Sequence, residues 1–328
     1  MEAVLEKHLS AIEYGETQTH ENMTVVPLLS PLPHGVVYIT MQEALESGAM
    51  TISEVSSDGA VPDLKIINRG DFPVLILDGE EVAGAKQNRI INTTILIKVK
   101  WEGIIPVSCT EAGRWDYTSP NFADSKIMMS RNIRAKKMDS VRRNLESEKK
   151  YRADQGEVWK EIESLRSAAK APPSATCSMK DIFISKQKSL EEYNKTFTLI
   201  EKQHGILVIV GGSVVGLDII SLDNAYKRLH EKLVRSYAIA AIAEGSTGIP
   251  EKPAIELARE FIEKAKSCDD KKFESIGYGF DHRLKGAGIV GSALQFNGDV
   301  IHTALFREED NIGETNISSF NRRRRFRI

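Results

Sequence analysis

At 328 residues the chain can bury a sizeable core, and its length alone suggests about two domains. With 41% hydrophobic residues, 27% charged residues and a net charge of −2, it reads as an ordinary globular protein. That balance argues against a whole-surface attraction to nucleic acid or anionic membrane. Cys109, Cys177 and Cys268 are odd in number and far apart, so a disulfide framework is not expected and a reducing, cytoplasmic home is. The first residues are acidic and amphipathic, without the basic and apolar regions of a signal peptide.

In chain order, residues 1–15 have helical spacing (Val4, Leu5, His8, Leu9, Ile12). To about residue 118 short β-branched runs then recur at 23–29, 35–40, 64–68, 72–77, 95–99 and 104–109, separated by Gly, Pro, Asn and Asp. This texture predicts a β-sandwich or barrel-like region over 1–120, interrupted by a helix at 41–50. Residues 121–195 read as a charged helical segment. Met138, Val141 and Leu145 form one stripe, and Val158, Ile162 and Leu165 form a second, capped by Asp154 with Glu157 and stopped by Pro172-Pro173. Residues 196–306 form a mixed α/β region. It has strands at 197–203, 206–210 and 214–220, a Gly211-Gly212 turn, two helices from about Asp223, and a closing hairpin through Asn297-Gly298-Asp299. The basic tail, 307–328, ends in Arg322 to Arg325 and Arg327 and reads as solvated. The predicted class is α+β.

One polar constellation stands out. Asp78, Glu80, Glu81, Lys86, Gln87, Asn88 and Arg89 follow a buried-looking strand, among small residues that allow close backbone approach. Such a set suits coordination of a divalent cation such as Mg²⁺ through oxygen, or capture of a phosphate through Lys86 and Arg89. The alternative is a solvated hairpin of self-paired charges. A second group, from Ser108 to Trp115, ends another strand. There Arg114 beside Trp115 suits a planar anion, with Glu111 as a further carboxylate, unless Trp115 is core. Cys109 has no neighbouring histidine to activate it and reads as a structural thiol.

Other candidates are weaker. The stretch GGSVVG (211–216) is followed by strand rather than helix, so it is a turn and not a phosphate loop. The seven histidines never fall within four residues of one another, which argues against zinc. Residues 278–288, with Asp281, His282, Arg283 and Lys285, read as a connecting loop, with a lid or second anion contact as the alternative. The basic residues from Arg131 to Arg143 read as a solvated helix face.

The strings LDGEEVAGAKQNRIINTTILI (77–97), IPVSCTEAGRW (105–115) and ADQGEVW (153–159) resemble the ARPP-type domain family. That family is named for association with ADP-ribosylglycohydrolases and rhodanese-phosphatases. The resemblance spans about residues 20 to 306. It implies a link to ADP-ribose and NAD-related nucleotide metabolism, carried at Asp78, Glu80, Lys86, Gln87, Asn88, Arg89, Glu111, Arg114 and Trp115.

The expectation that follows is a nucleotide or ADP-ribose-like ligand, bound and hydrolytically processed. Lys86, Arg89 and Arg114 hold phosphate, Trp115 stacks, and Glu80, Glu81 and Glu111 act as general bases or metal ligands. One rival is a non-catalytic homo-oligomeric assembly or regulatory protein. Another is nucleic-acid binding through the terminal arginines. No membrane partner is expected, because no apolar stretch approaches the ~20 residues that a spanning helix needs.

Overall fold

Strand burial explains the apolar runs. Along 206–210 the side chains alternate between two separate cores, with Ile206, Val208 and Val210 in one and Leu207 and Ile209 in the other. A strand covered on both faces reads as continuously hydrophobic. The computed structural model describes residues 1–308 apart from 33, 57, 58, 60, 246, 247 and 249. The arginine-rich segment at 322–327 lies outside the described residues.

In chain order, α1 (Ala3–Ser10), β1 (Glu13–Tyr14), β2 (Gln18–His20), β3 (Met23–Leu29) and β4 (Ile39–Thr40) precede α2 (Met41–Glu46). Next come β5 (Met50–Glu54), β6 (Asp63–Asn68), β7 (Val74–Ile76), β8 (Glu80–Gly84), β9 (Arg89–Ile91), β10 (Ile95–Ile97), β11 (Trp101–Cys109) and β12 (Phe122–Met128). The helices α3 (Arg131–Glu148), α4 (Gln155–Ala168), α5 (Met179–Ser185) and α6 (Gln187–Thr196) follow. The chain continues through β13 (Gln203–Val210), β14 (Ser213–Ile220), α7 (Asp223–Glu244) and α8 (Ala254–Lys266). It ends with β15 (Asp269–Glu274), β16 (Phe280–Gly286), β17 (Ile289–Phe296) and β18 (Asp299–Arg307).

The fold is α+β. A nine-stranded sheet runs β1-β3-β13-β14-β18-β17-β16-β15, with β2 also on β3. A six-stranded sheet runs β12-β8-β9-β11-β6-β5, and a three-stranded sheet runs β10-β7-β4. The two smaller sheets share one core, in which Val74, Ile76, Ile95 and Ile97 meet Ile52, Ile66, Val82, Ile91 and Val107. This is the sandwich-like part of the N-terminal region. The large sheet buries its outer face under α1 and α8 through Leu5, Leu9, Phe261 and Ile262. Its inner face packs on α3 and α7 through Met138, Leu233 and Tyr237. Among the described residues no helix is long and apolar enough to cross a membrane.

Several segments differ from their sequence reading. Strands β1 to β3 join the C-terminal sheet rather than the strands that follow them, because β3 finds its hydrogen-bond partner in β13. Residues 122–128 are a strand, although their charge made them look helical. The strand expected at 197–203 starts only at Gln203, after Lys202 takes a left-handed φ of 56°. The loop expected at 278–288 is mostly β16, and its Asp281 and Arg283 are buried. The two turns with the strongest signals match: Gly211-Gly212 and Asn297-Gly298 both have positive φ and join the expected strands.

Candidate functional site

The polar motif from Asp78 to Arg89 is itself a hairpin. β8 pairs with β9, with Val82 opposite Arg89, and β9 pairs with β11, with Arg89 opposite Cys109. The two strand ends picked out in the sequence therefore lie side by side. The connecting turn depends on Gly84, at φ 131°, where a Cβ would stand 2.5 Å from Ser119 Oγ and 2.8 Å from the Asn121 carbonyl. Arg114 fastens this turn. Its guanidinium donates to Glu111 Oε2 (2.6 Å), Asn88 Oδ1 (3.2 Å), the Ala85 carbonyl (2.9 Å) and the Asp116 carbonyl (3.0 Å). Glu111 Oε2 also accepts from the Asn88 backbone N–H at 2.8 Å. From below, Gln155 at the start of α4 clasps Cys109 by both its N–H and its carbonyl (2.7 and 3.0 Å).

On the outer side, Arg89, Lys86, Trp115 and Glu54 converge. The Arg89 guanidinium and the Lys86 ammonium each lie 5.4 Å from the Trp115 ring, and Lys86 also lies 5.1 Å from Tyr117. Trp115 is 41% exposed, so part of its surface is open to a ligand. Arg89 is fully buried, with Nη1 donating to Gln87 Oε1 at 3.1 Å and Glu54 Oε1 3.8 Å from Nη2. Among the described residues its Nε and Nη2 have no hydrogen-bond partner, and neither does Glu54 Oε2. Burial disfavours the Arg89 cation and pulls its pKa below the ordinary guanidinium value, against the pull of nearby acids. The neighbouring Cys109 thiol is pushed up by burial, with Arg89 opposing, so it stays protonated at neutral pH.

The remaining motif residues point inward. Asp78 Oδ1 pairs with Lys137, which also donates to the carbonyls of Ile91 (2.9 Å) and Asn92 (3.1 Å). Arg134, also on α3, lies 3.9 Å from Asp78 and forms a two-pronged bond with Asp218 (3.0 and 2.7 Å). Tyr237 donates to Asp218 at 2.7 Å, and His302 lies between Asp218 and Thr94. Burial alone would raise the Asp218 carboxyl, but Arg134 and His302 hold it at about 2. Glu80 takes a similar structural position: Oε1 accepts from Lys232 (2.8 Å), which also binds Asp124 (2.8 Å), and Oε2 accepts from the Leu77 N–H. Glu81 is fully buried too and accepts from Thr110 at 2.6 Å. Its carboxyl is pushed up to about 7 by burial, which the Thr110 hydrogen bond only partly offsets.

The motif therefore splits. Lys86, Gln87, Asn88, Arg89, Glu111, Arg114 and Trp115 come together, while Asp78 and Glu80 face away into ion pairs with α3 and α7. Among the described residues no group of three or more His, Cys, Asp or Glu side chains is placed to hold a metal ion. Glu80 is held by Lys232 and Glu111 by Arg114, while Glu81 accepts from Thr110 through Oε1 alone. Sequence reasoning missed Glu54, which ends β5 twenty-four residues before the motif. It read Arg134 and Lys137 as part of a solvated helix face, whereas both are buried counter-charges to Asp78 and Asp218, and it missed Asp218 and Lys232. The signal available for α3 was that Arg134 and Lys137 share the helix stripe of Met138 and Val141, three or four residues apart.

A family model described as ARPP-1, the ARG and Rhodanese-Phosphatase-superfamily-associated Protein domain, matches residues 11–306. No curated protein and no solved structure matches the chain.

Proposed function

The chain belongs to the ARPP-1 family, and from that premise we propose that it binds a nucleotide of the ADP-ribose class at the outer cluster. One observation carries this reading: a fully buried arginine, two of whose nitrogens have no hydrogen-bond partner among the described residues, beside a part-exposed tryptophan. A buried donor left unmade costs about 1–3 kcal/mol, which a bound oxygen would recover. The indole offers a stacking surface for a base, typically about 1–3 kcal/mol. Lys86 adds positive charge at the same rim. Arg114 takes a different part from the one its sequence suggests: with its donors engaged by Glu111, Asn88 and two carbonyls, it shapes the site and does not grip phosphate.

Hydrolytic processing is the extension of this reading. Of the three predicted catalytic carboxylates, Glu81 has its pKa moved to about 7, where a carboxyl can both take and give a proton. Glu81 nevertheless faces inward onto Thr110, so it is assigned no contact with a ligand at the outer cluster, and Glu80 and Glu111 are assigned structural parts. Calorimetric titration with ADP-ribose and AMP tests the binding reading. Binding by the wild type that weakens at least ~10-fold in a folded Arg89→Ala variant is expected, equivalent to about 1.4 kcal/mol. No binding by the wild type, or unchanged affinity in the variant, refutes it.

A further inference from the structure

Arg89 and Glu54 are close without being mated. Glu54 Oε1 is 3.8 Å from Arg89 Nη2, beyond hydrogen-bond reach, and accepts instead from the Lys86 backbone N–H at 3.3 Å. Gln87 occupies Nη1 of the guanidinium. What remains open is the edge formed by Nε and Nη2, together with Glu54 Oε2, and all three atoms are buried without a partner among the described residues. Two parallel donors therefore stand beside one acceptor, each fixed by a second hydrogen bond on its other end.

The chemistry of that trio is selective. A phosphate or carboxylate oxygen satisfies Arg89 but cannot donate to Glu54, and it brings a second negative charge against the carboxylate. An ammonium satisfies Glu54 and is repelled by Arg89. A hydroxyl does both, because its oxygen accepts from the guanidinium while its hydrogen goes to the carboxylate. Two adjacent hydroxyls match the two-donor edge, since Nε–H and Nη2–H point the same way with the spacing of a fork. Gly59 packs closely on this trio: a Cβ there would stand 3.2 Å from Lys86 Cδ, 3.3 Å from Glu54 Oε2 and 3.3 Å from the Trp115 ring, at a φ of 73° that disfavours other residues.

We propose that Glu54 and Arg89 together read the vicinal diol of a ribose, making Glu54 the residue by which the site selects a ribosyl ligand. The proposal rests on the nucleotide-binding reading above and deepens it. It places the sugar hydroxyls at Arg89, the base on Trp115, and the phosphate towards Lys86 and solvent. A site that bound through charge alone would hold any phosphate ester. This one discriminates, because a sugar without hydroxyls leaves both a buried carboxylate and a buried guanidinium unmade.

The test uses the full chain with AMP, 2′,3′-dideoxy-AMP and inorganic phosphate as calorimetric probes. Wild type is expected to hold AMP at least ~10-fold more tightly than the dideoxy analogue. Glu54→Gln is expected to bring AMP down to the level of the analogue and leave the analogue's own affinity unchanged. Should that variant unfold, Glu54→Asp, which keeps the charge on a shorter arm, reads the same loss of preference. If wild type binds both nucleotides equally, the diol assignment is overturned while nucleotide binding stands. An equal weakening of both nucleotides in Glu54→Gln also overturns it, since Glu54 would then merely hold Arg89 in place. If neither nucleotide binds the wild type, the parent reading falls with it.

Discussion

Two faces of one hairpin carry charges that are mated in opposite ways. Inward, Asp78 and Glu80 meet Lys137, Arg134 and Lys232, and Arg134 meets Asp218 through two hydrogen bonds in a region without solvent. Outward, Arg89 is just as buried, yet among the described residues its side chain holds one hydrogen bond and stands 3.8 Å from Glu54. The inner group ties the six-stranded sheet to α3, α7 and the large sheet. In the outer group Arg89 Nε and Nη2 and Glu54 Oε2 have no partner among the described residues. Burial by itself therefore does not separate structural from functional charge. What separates them is whether a charge meets its opposite at hydrogen-bond distance: Arg134, Lys137 and Lys232 do and Arg89 does not, although single atoms such as Arg134 Nε and Asp78 Oδ2 lack a partner on the inner face as well.

The largest expected effect comes from breaking the inner side. Arg134→Ala removes the guanidinium that Asp218 bonds through two hydrogen bonds, leaves Asp78 to Lys137 alone, and should cost about 3–5 kcal/mol in urea unfolding. A loss below about 1 kcal/mol would show that this hub is not a structural clamp. Next is Glu81, whose raised pKa sets the sign of a pH effect. Because the fold favours the neutral carboxyl, its contribution is complete below the ordinary value of 4.5 and is lost as pH rises through about 7. Glu81→Gln stays neutral and should lose less stability than wild type on going from about pH 5 to about pH 8. Parallel pH profiles would remove Glu81 as a titrating group.

His8 gives the opposite limb. It is held down at about 4 by burial, with His34, His204 and His302 adding repulsion, so its contribution is present above 6.5 and fades as pH falls towards 4. Substitution by Gln should flatten the acid limb of the unfolding curve without changing it above about pH 7. The smallest change in stability is expected at Trp115. Its indole is 41% exposed, so Trp115→Ala should shift unfolding by no more than about 0.5 kcal/mol while weakening AMP about 10-fold. A large stability loss there would make the tryptophan core and erase the contrast between the two faces.

Much of the secondary structure was legible. The stripes of α3 and α4, the cap at Asp154 and the two glycine turns depend on neighbours within four residues, and such signals lie in the string itself. β12 was not legible, because its polar side chains are satisfied by β8 and Lys232, far away in sequence. Nor was the pairing of β3 with β13, since hydrogen-bond partners about 180 residues apart leave no local mark.

The candidate site divides along the same line. Residue type and spacing brought out the hairpin from Asp78 to Arg89 and the strand end from Glu111 to Trp115 as places where charge and an aromatic ring collect. Which of those charges are consumed was decided in three dimensions, by α3 and α7 arriving with Arg134, Lys137 and Lys232 on one face, and by β5 arriving with Glu54 on the other. A sequence states how many charges a segment carries. Only the packed structure determines which of them has met its opposite, because that depends on distances of a few ångströms between residues that the chain keeps far apart.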